Sequence, residues 1–382
     1  MPQLKMQNSE NKETLRRFII FFAIFLLTAC GTQPQIWVEE LPRYDALFER
    51  QTGWTGADGA YTVALADDEI LWLFGDTWYG EVRDGRHMNA VIIKNTVAIQ
   101  RGLMPPGASV QFYTGLSPDG SPRAFVQPDD NRGWFWIYDG IRVGKELYLF
   151  LVQLERTADR KSFGFTIVGS QLGHVANPGD VPANWILARH RIPWGRFSAA
   201  GDTLFGSSLL KADKHIYIYG TTEDVDGDIR RKSMILARVP ETELDQFDRW
   251  RFYSEGEWST DFNKSSSLCS DMANEFSVSH LPAIDKYIVV YTEKSFSKNI
   301  TMRFAPDPWG PWSAPRRIYA CPEADRSQDV FCYAAKGHPD LSSAPDEIII
   351  TYVANSLEFA KVAADATLYR PRFLRVRFNV SN

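Results

Sequence analysis

Ala60-Tyr-Thr-Val-Ala-Leu65, Ala66-Asp-Asp-Glu69 and Ile70-Leu-Trp-Leu-Phe74 read in succession as strand, turn and strand. Two runs of alternating or apolar residues split by a short polar connection mark a β-hairpin. The pattern returns four more times. Its second arm reappears as Leu147-Tyr-Leu-Phe-Leu151, Ile216-Tyr-Ile-Tyr219, Tyr287-Ile-Val-Val-Tyr291 and Glu347-Ile-Ile-Ile-Thr-Tyr352. The turns ahead of these arms are Gly144-Lys145, Ala212-Asp-Lys214, Ala283-Ile-Asp285 and Ala344-Pro-Asp346. Measured at Leu71, Leu147, Ile216, Tyr287 and Ile348, the spacings are 76, 69, 71 and 61 residues. A strand-filled period of that size implies small sheets repeated about an axis. The expected fold class is all-β, a five-bladed β-propeller whose central channel draws residues from every blade.

Outward from the hairpins, later strands are expected at Met88 to Ile99, Phe163 to Gly173, Ser233 to Val239, Ile300 to Phe304 and Arg372 to Phe378. One short helix is expected at Pro240 to Phe247. No Ser/Gly-rich linker divides the chain, so residues 42–382 are expected to form one domain. A chain of 382 residues that is 44% hydrophobic can bury a large core. The net charge of −5 and the lack of a basic stripe argue against a nucleic-acid partner.

The N-terminus reads as a targeting segment rather than as part of the fold. Lys5, Lys12, Arg16 and Arg17 precede an unbroken apolar run from Phe18 to Leu27, which is too short to span a bilayer. Leu27-Thr-Ala-Cys30-Gly31 follows and resembles a bacterial lipobox, in which the Cys becomes the first mature residue and carries lipid. Residues 1–29 are therefore expected to be a lipoprotein signal peptide and residues 30–41 a tether. Cys30 would be the lipidated residue, attaching the exported chain to the outer membrane or cell surface. In that oxidising setting Cys321 and Cys332, which bracket a short polar loop, are expected to form a disulfide, with two buried thiols as the alternative. Cys269 is left over. No Cys/His spacing fits zinc, and Asp224-Val-Asp-Gly-Asp228 lacks calcium-loop spacing, so no metal and no cofactor are expected.

Antiparallel pairing predicts which side chains share a rim, because the start of each first strand lies beside the end of the second. Counting from the turn centres, Asp58 stands opposite Thr77 and next to Asp76, and Glu275 stands opposite Glu293. Both Asp58 and Glu275 fall at nearly the same height. Lys336, His338 and Asp202 come to the same rim, and Asp139 lies somewhat deeper. Two carboxyl groups flanking a cleft are what glycosidic cleavage commonly uses, one as proton donor and one as base or nucleophile. Asp58, set between Gly56 and Gly59, is expected to be base or nucleophile, Glu275 the acid and Asp139 an orienting group. Asp76, Trp54, Trp78, Lys336 and His338 are expected to contact substrate, the two Trp as flat platforms. Asp76 and Asp139 also read as turn or bulge residues, His338 as a structural histidine, and Glu293 as a solvated strand end.

Gly56-Ala-Asp-Gly-Ala-Tyr-Thr-Val, Leu71-Trp-Leu-Phe-Gly-Asp-Thr-Trp, Pro308-Trp-Gly-Pro-Trp-Ser313, Tyr333-Ala-Ala-Lys-Gly-His-Pro-Asp-Leu341 and Leu368-Tyr-Arg-Pro-Arg-Phe373 together resemble a broad bacterial family. That family consists of five-bladed propellers long filed as a domain of unknown function, and includes endo-acting D-arabinanases. The resemblance covers about Trp54 to Phe378. It implies a furanose-containing, arabinan-like substrate, with Asp58 in the base or nucleophile position and Glu275 in an acid position. The chain departs from related furanosidases at Phe205-Gly-Ser-Ser-Leu-Leu, which carries no carboxylate. The expected function is thus an envelope lipoprotein that hydrolyses a polysaccharide, acting as a monomer. The alternative is a non-catalytic glycan-binding propeller.

Overall fold

The first strand of each hairpin opens an antiparallel sheet, as the alternation of apolar and polar residues requires. The computed structural model describes residues 34–158, 164–227 and 229–379. The expected signal peptide, Cys30 and part of the acidic turn at Asp228 lie outside the described residues. The first sheet runs Tyr61–Ala66, Glu69–Phe74, Thr96–Arg101 and Ser109–Tyr113. The second runs Trp134–Val143, Glu146–Arg156, Phe165–Val175 and Leu187–Arg191. The third begins Thr203–Ala212, His215–Asp226, Ile229–Pro240 and Arg251–Ser254. The fourth is Phe276–Leu281, Lys286–Thr292, Asn299–Ala305 and Arg316–Ala320. In the fifth, Val330–His338, Glu347–Ser356 and Pro371–Asn379 are followed by Gln35–Glu40 from the other end of the chain. The fold is all-β.

The second strands are buried on both faces, which explains their continuous apolar runs. Ile70 to Phe74, Leu147 to Val152, Ile216 to Tyr219 and Ile348 to Ile350 are all buried. The first strands touch in sequence from sheet one to sheet five, and the fifth sheet's first strand also contacts that of the first. A cavity of about 400 Å³ is lined by residues of all five first strands, among them Tyr61, Asp139, Ser208, Ser279 and Lys336.

Two expected elements are corrected here. The strand expected at Met88 to Ile99 breaks at Lys94-Asn95: Arg86–Ile93 joins a separate three-stranded sheet with Thr52–Ala57 and Thr77–Arg83, while Thr96–Arg101 stays in the first sheet. Buried Asn95 fixes the break. Its amide donates to Val126 and Phe135 carbonyls at 2.9 and 2.8 Å, and its carbonyl accepts from Val126 N at 2.8 Å. The helix expected at Pro240 to Phe247 is instead two single 3₁₀ turns, Glu241–Glu243 and Phe247–Arg249. Cys321, Cys332 and Cys269 are free thiols in this structure. Cys321 and Cys332 share one buried apolar cluster.

Candidate active site

Asp58 follows directly on Thr52–Ala57, where the backbone turns to enter the first sheet. Gly59 and Ala60 take φ of 82° and 55°, a left-handed step that glycine makes cheaply. The ladder Ala57–Thr77 places Asp58 beside Asp76, and Asp58 N donates to Asp76 O at 3.3 Å. The counted partner was Thr77. The slip of one comes from a register shift between Ala64 and Ala66 at the hairpin end. A tight 3₁₀ turn, Pro282–Ile284, with left-handed Asp285 shifts the fourth hairpin likewise. Phe276 pairs with Tyr291, so Glu293 falls beyond the ladder, where Arg317 holds it at 2.8 Å.

One oxygen of Asp58, Oδ2, accepts hydrogen bonds from Tyr333 Oη at 2.7 Å and Tyr369 Oη at 2.8 Å. The other, Oδ1, lies against Gly75, where an added Cβ would sit 2.4 Å away. Burial, then the charges of Asp76 and Glu275, push the Asp58 carboxyl up to about 7 against those two phenol hydrogen bonds. Among the described residues Asp58 makes no ion pair. Its two neighbours do. Asp76 Oδ2 is 3.2 Å from Lys94 Nζ, and Oδ1 accepts from Trp136 Nε1 at 3.0 Å. Burial raises the Asp76 carboxyl too, opposed by Lys94 and Trp136. Glu275 Oε1 is 3.1 Å from the ammonium of buried Lys336, which also donates to Ala334 O at 3.0 Å and stands 4.1 Å from the Tyr61 ring centroid. The site therefore holds one carboxyl without a cation between two carboxylates that each have one.

Gly75→Ala is expected to drive a methyl into Asp58 Oδ1 and destabilise the fold by roughly 1–3 kcal/mol, read as a lower denaturant midpoint. An unchanged midpoint would show that Asp58 swings aside freely.

The family description "Domain of unknown function (DUF5005)" matches residues 42–379. The chain belongs to the DUF5005 family. Among solved structures, this DUF5005 chain is similar to a suspected hydrolase from Bacteroides ovatus ATCC 8483, at 20% identity and TM-score 0.70, covering 89% of this chain and 90% of that one. More distant likenesses include the catalytic domain of a Coprinopsis cinerea GH62 α-L-arabinofuranosidase, at 9% identity and TM-score 0.47, covering 86% and 95%. A GH43_1 enzyme from Xanthomonas citri stands at 13% identity and TM-score 0.47, covering 90% and 94%. At these identities the likeness concerns the fold alone. No curated protein matches the chain.

Other expected site residues of this DUF5005 chain have different surroundings. Trp54 is buried among Phe48, Phe74 and Phe112. Trp78 is buried and stacked on His87 and Phe359. Neither is a platform for substrate, because each large apolar ring is taken up by packing. His338 is buried with both ring nitrogens engaged, Nδ1 by Thr62 Oγ1 at 2.8 Å and Nε2 by Thr351 Oγ1 at 2.7 Å. Burial, then the charge of Lys336, lowers its pKa to about 3, so it is a neutral structural histidine. Lys336 is a buried counter-ion rather than an open substrate contact. Asp139 occupies a bulge and accepts from Gly140 N at 2.8 Å and from Leu209 N in the third sheet at 2.7 Å. It ties two sheets together, and burial raises its carboxyl to about 7 against those bonds.

Sequence reasoning gave no role to Tyr333, Tyr369, Lys94, Trp136 or Gly75. Tyr333 and Tyr369 sit inside family-like motifs, but their convergence on one oxygen spans 36 residues, from a strand to the loop ahead of Pro371–Asn379. Tyr369 adopts φ 61°, a left-handed backbone that sequence does not reveal. The third sheet also supplies acids from outside Phe205-Gly-Ser-Ser: buried Glu223, paired with Arg230 at 2.8 Å, and Asp202, whose carboxyl burial raises. Among the described residues, no group of three or more His, Cys, Asp or Glu could hold a metal ion.

Proposed function

We propose that this chain is a glycoside hydrolase built as a closed five-bladed β-propeller, cutting a furanose-containing, arabinan-like polysaccharide at the cell envelope. The observation that carries this reading is the contrast between Asp58, raised to about 7 and without a cation, and Glu275, paired with Lys336. A raised carboxyl without a cation is suited to donate a proton, and a carboxyl held by an ammonium is suited to serve as the second group. This reverses the roles expected from counting alone. Asp58 delivers its proton to the leaving oxygen as the glycosidic bond breaks. Glu275, at the entrance to the fourth sheet, supplies the carboxylate that attacks the anomeric carbon or activates water. Asp76 is the neighbouring charge that keeps the Asp58 proton in place. Tyr333 and Tyr369 orient the Asp58 carboxyl, so that the oxygen against Gly75 is the one free of phenol partners.

The closed ring is supported by first-strand contacts running from sheet to sheet and back to the first, and by the cavity all five share. Pairing of Gln35–Glu40 beside Pro371–Asn379 would join the two chain ends in one blade. The test is incubation of the full chain with furanose and pyranose polysaccharides, scored by release of reducing ends. Release from a furanose polymer is expected. No release from any of them would overturn the hydrolase and favour a glycan-binding protein.

Lipidation at Cys30 would anchor the enzyme beside its polymer. Cys30→Ala is expected to move the protein from the membrane pellet to the soluble fraction, and retention in the pellet would refute the anchor. In an oxidising compartment, exchange with a partner disulfide, which is itself reduced to two thiols, would let Cys321 and Cys332 pair. Peptide mapping of protein taken from the envelope, alkylated before reduction, is expected to find these two linked and Cys269 alkylated.

A further inference from the structure

Two elements interrupt the repeated sheets, and they face each other. One is the three-stranded sheet of Thr52–Ala57, Thr77–Arg83 and Arg86–Ile93. The other is the small hairpin that pairs Gly115–Leu116 with Pro122–Arg123. Between them lies a groove of about 680 Å³, within the range of ligand sites. Its floor reaches the acid cluster. Lys94, which lines the groove, is the counter-ion of Asp76 at 3.2 Å, and Thr77, next to Asp76, pairs with groove residue Ile93.

The lining mixes two kinds of surface. Tyr79, Val91 and Pro122 give it apolar patches, and Val91 is 51% exposed. Asn89, Arg123 and Gln127 give it hydrogen-bonding groups, with Arg123 Nη1 donating to Gln127 Oε1 at 3.2 Å. A sugar chain has both matching surfaces, apolar ring faces and a rim of hydroxyls. Two of its charged groups are matched, Lys94 by Asp76 and Glu81 by Arg83, which leaves the Arg123 guanidinium as a hydrogen-bond donor on the wall.

We infer that this groove binds the glycan chain that continues from the bond at Asp58, with Val91 and Arg123 as specificity-determining contacts. The inference rests on the hydrolase reading for its direction, but its test does not need turnover. The full chain carrying Asp58→Asn is titrated calorimetrically with disaccharides and hexasaccharides from linear furanose and pyranose series. For the recognised series the hexasaccharide is expected to bind about tenfold or more tightly than the disaccharide. Two exposed positions then probe the groove separately: Val91→Trp fills it and Arg123→Ala removes a donor. Each should bring hexasaccharide affinity down toward that of the disaccharide and leave the disaccharide unchanged. Length-independent affinity, insensitivity to both variants, or no binding in any series would overturn the groove. Hydrolysis by the unmodified chain with length-independent binding would remove the groove and keep the enzyme. Length-dependent, groove-sensitive binding without hydrolysis would do the reverse.

Discussion

Asp58→Asn is expected to lower turnover by about 10²–10⁴-fold, the range a general acid contributes. The pH profile separates the two roles this residue could have. With Asp58 as proton donor, kcat/KM falls as pH rises through about 7, where its carboxyl titrates. As a base it would instead lose activity on the acid side of that value. An acid limb near 7 would sink the assignment of Asp58 as donor. Stability offers a second readout with a defined sign. A carboxyl whose folded pKa is raised adds stability below its unfolded value and loses it as pH rises through the folded value. Removing the charge with Asn should therefore narrow, or invert, the stability difference from the unmodified protein between about pH 4 and pH 8, by roughly 2–4 kcal/mol. A difference that stays constant across that range would show that Asp58 titrates normally.

The second large effect falls on the Glu275–Lys336 pair and is expected to be asymmetric. Lys336 is buried, its side chain 1% exposed, while that of Glu275 is 21% exposed. Burial lowers the lysine pKa and Glu275 opposes that shift. Glu275→Gln leaves a buried ammonium without its carboxylate and should cost about 3–5 kcal/mol. Lys336→Met leaves a carboxylate that water still reaches and should cost roughly 1–3 kcal/mol. Combining both changes should recover part of the loss, because the pair is removed together. Denaturant unfolding of the three variants checks this. A larger loss for Lys336→Met than for Glu275→Gln would show that the pair is not held by the buried cation.

The five hairpins were legible because strand alternation and turn residues are local properties of the chain. Each apolar run from Ile70 to Tyr352 became the buried second strand of a sheet. The break at Lys94-Asn95 was not legible, since it depends on Asn95 reaching Val126 and Phe135 far along the chain. Counting from turns put Asp58 and Glu275 each one residue out of register, because an irregularity near Leu65 and a 3₁₀ turn at Pro282–Ile284 leave no clear mark in composition. Trp54, Trp78 and His338 misled for a related reason. Aromatic and imidazole groups serve cores and sites alike, and only their neighbours distinguish the two uses.

The chain's own order of residues determined the all-β architecture, the five hairpins, and the acidic residues Asp58 and Glu275 at the entrance to their first strands. Those follow from local periodicity, which acts over a few residues. Which carboxyl is left without a cation was decided only by tertiary structure. Asp58 lacks a cation because Lys94 is spent on Asp76 and Lys336 on Glu275, and two tyrosines from distant segments close on its Oδ2. Proton affinity depends on burial and on charges a few ångströms away, and those distances exist only once the sheets have packed.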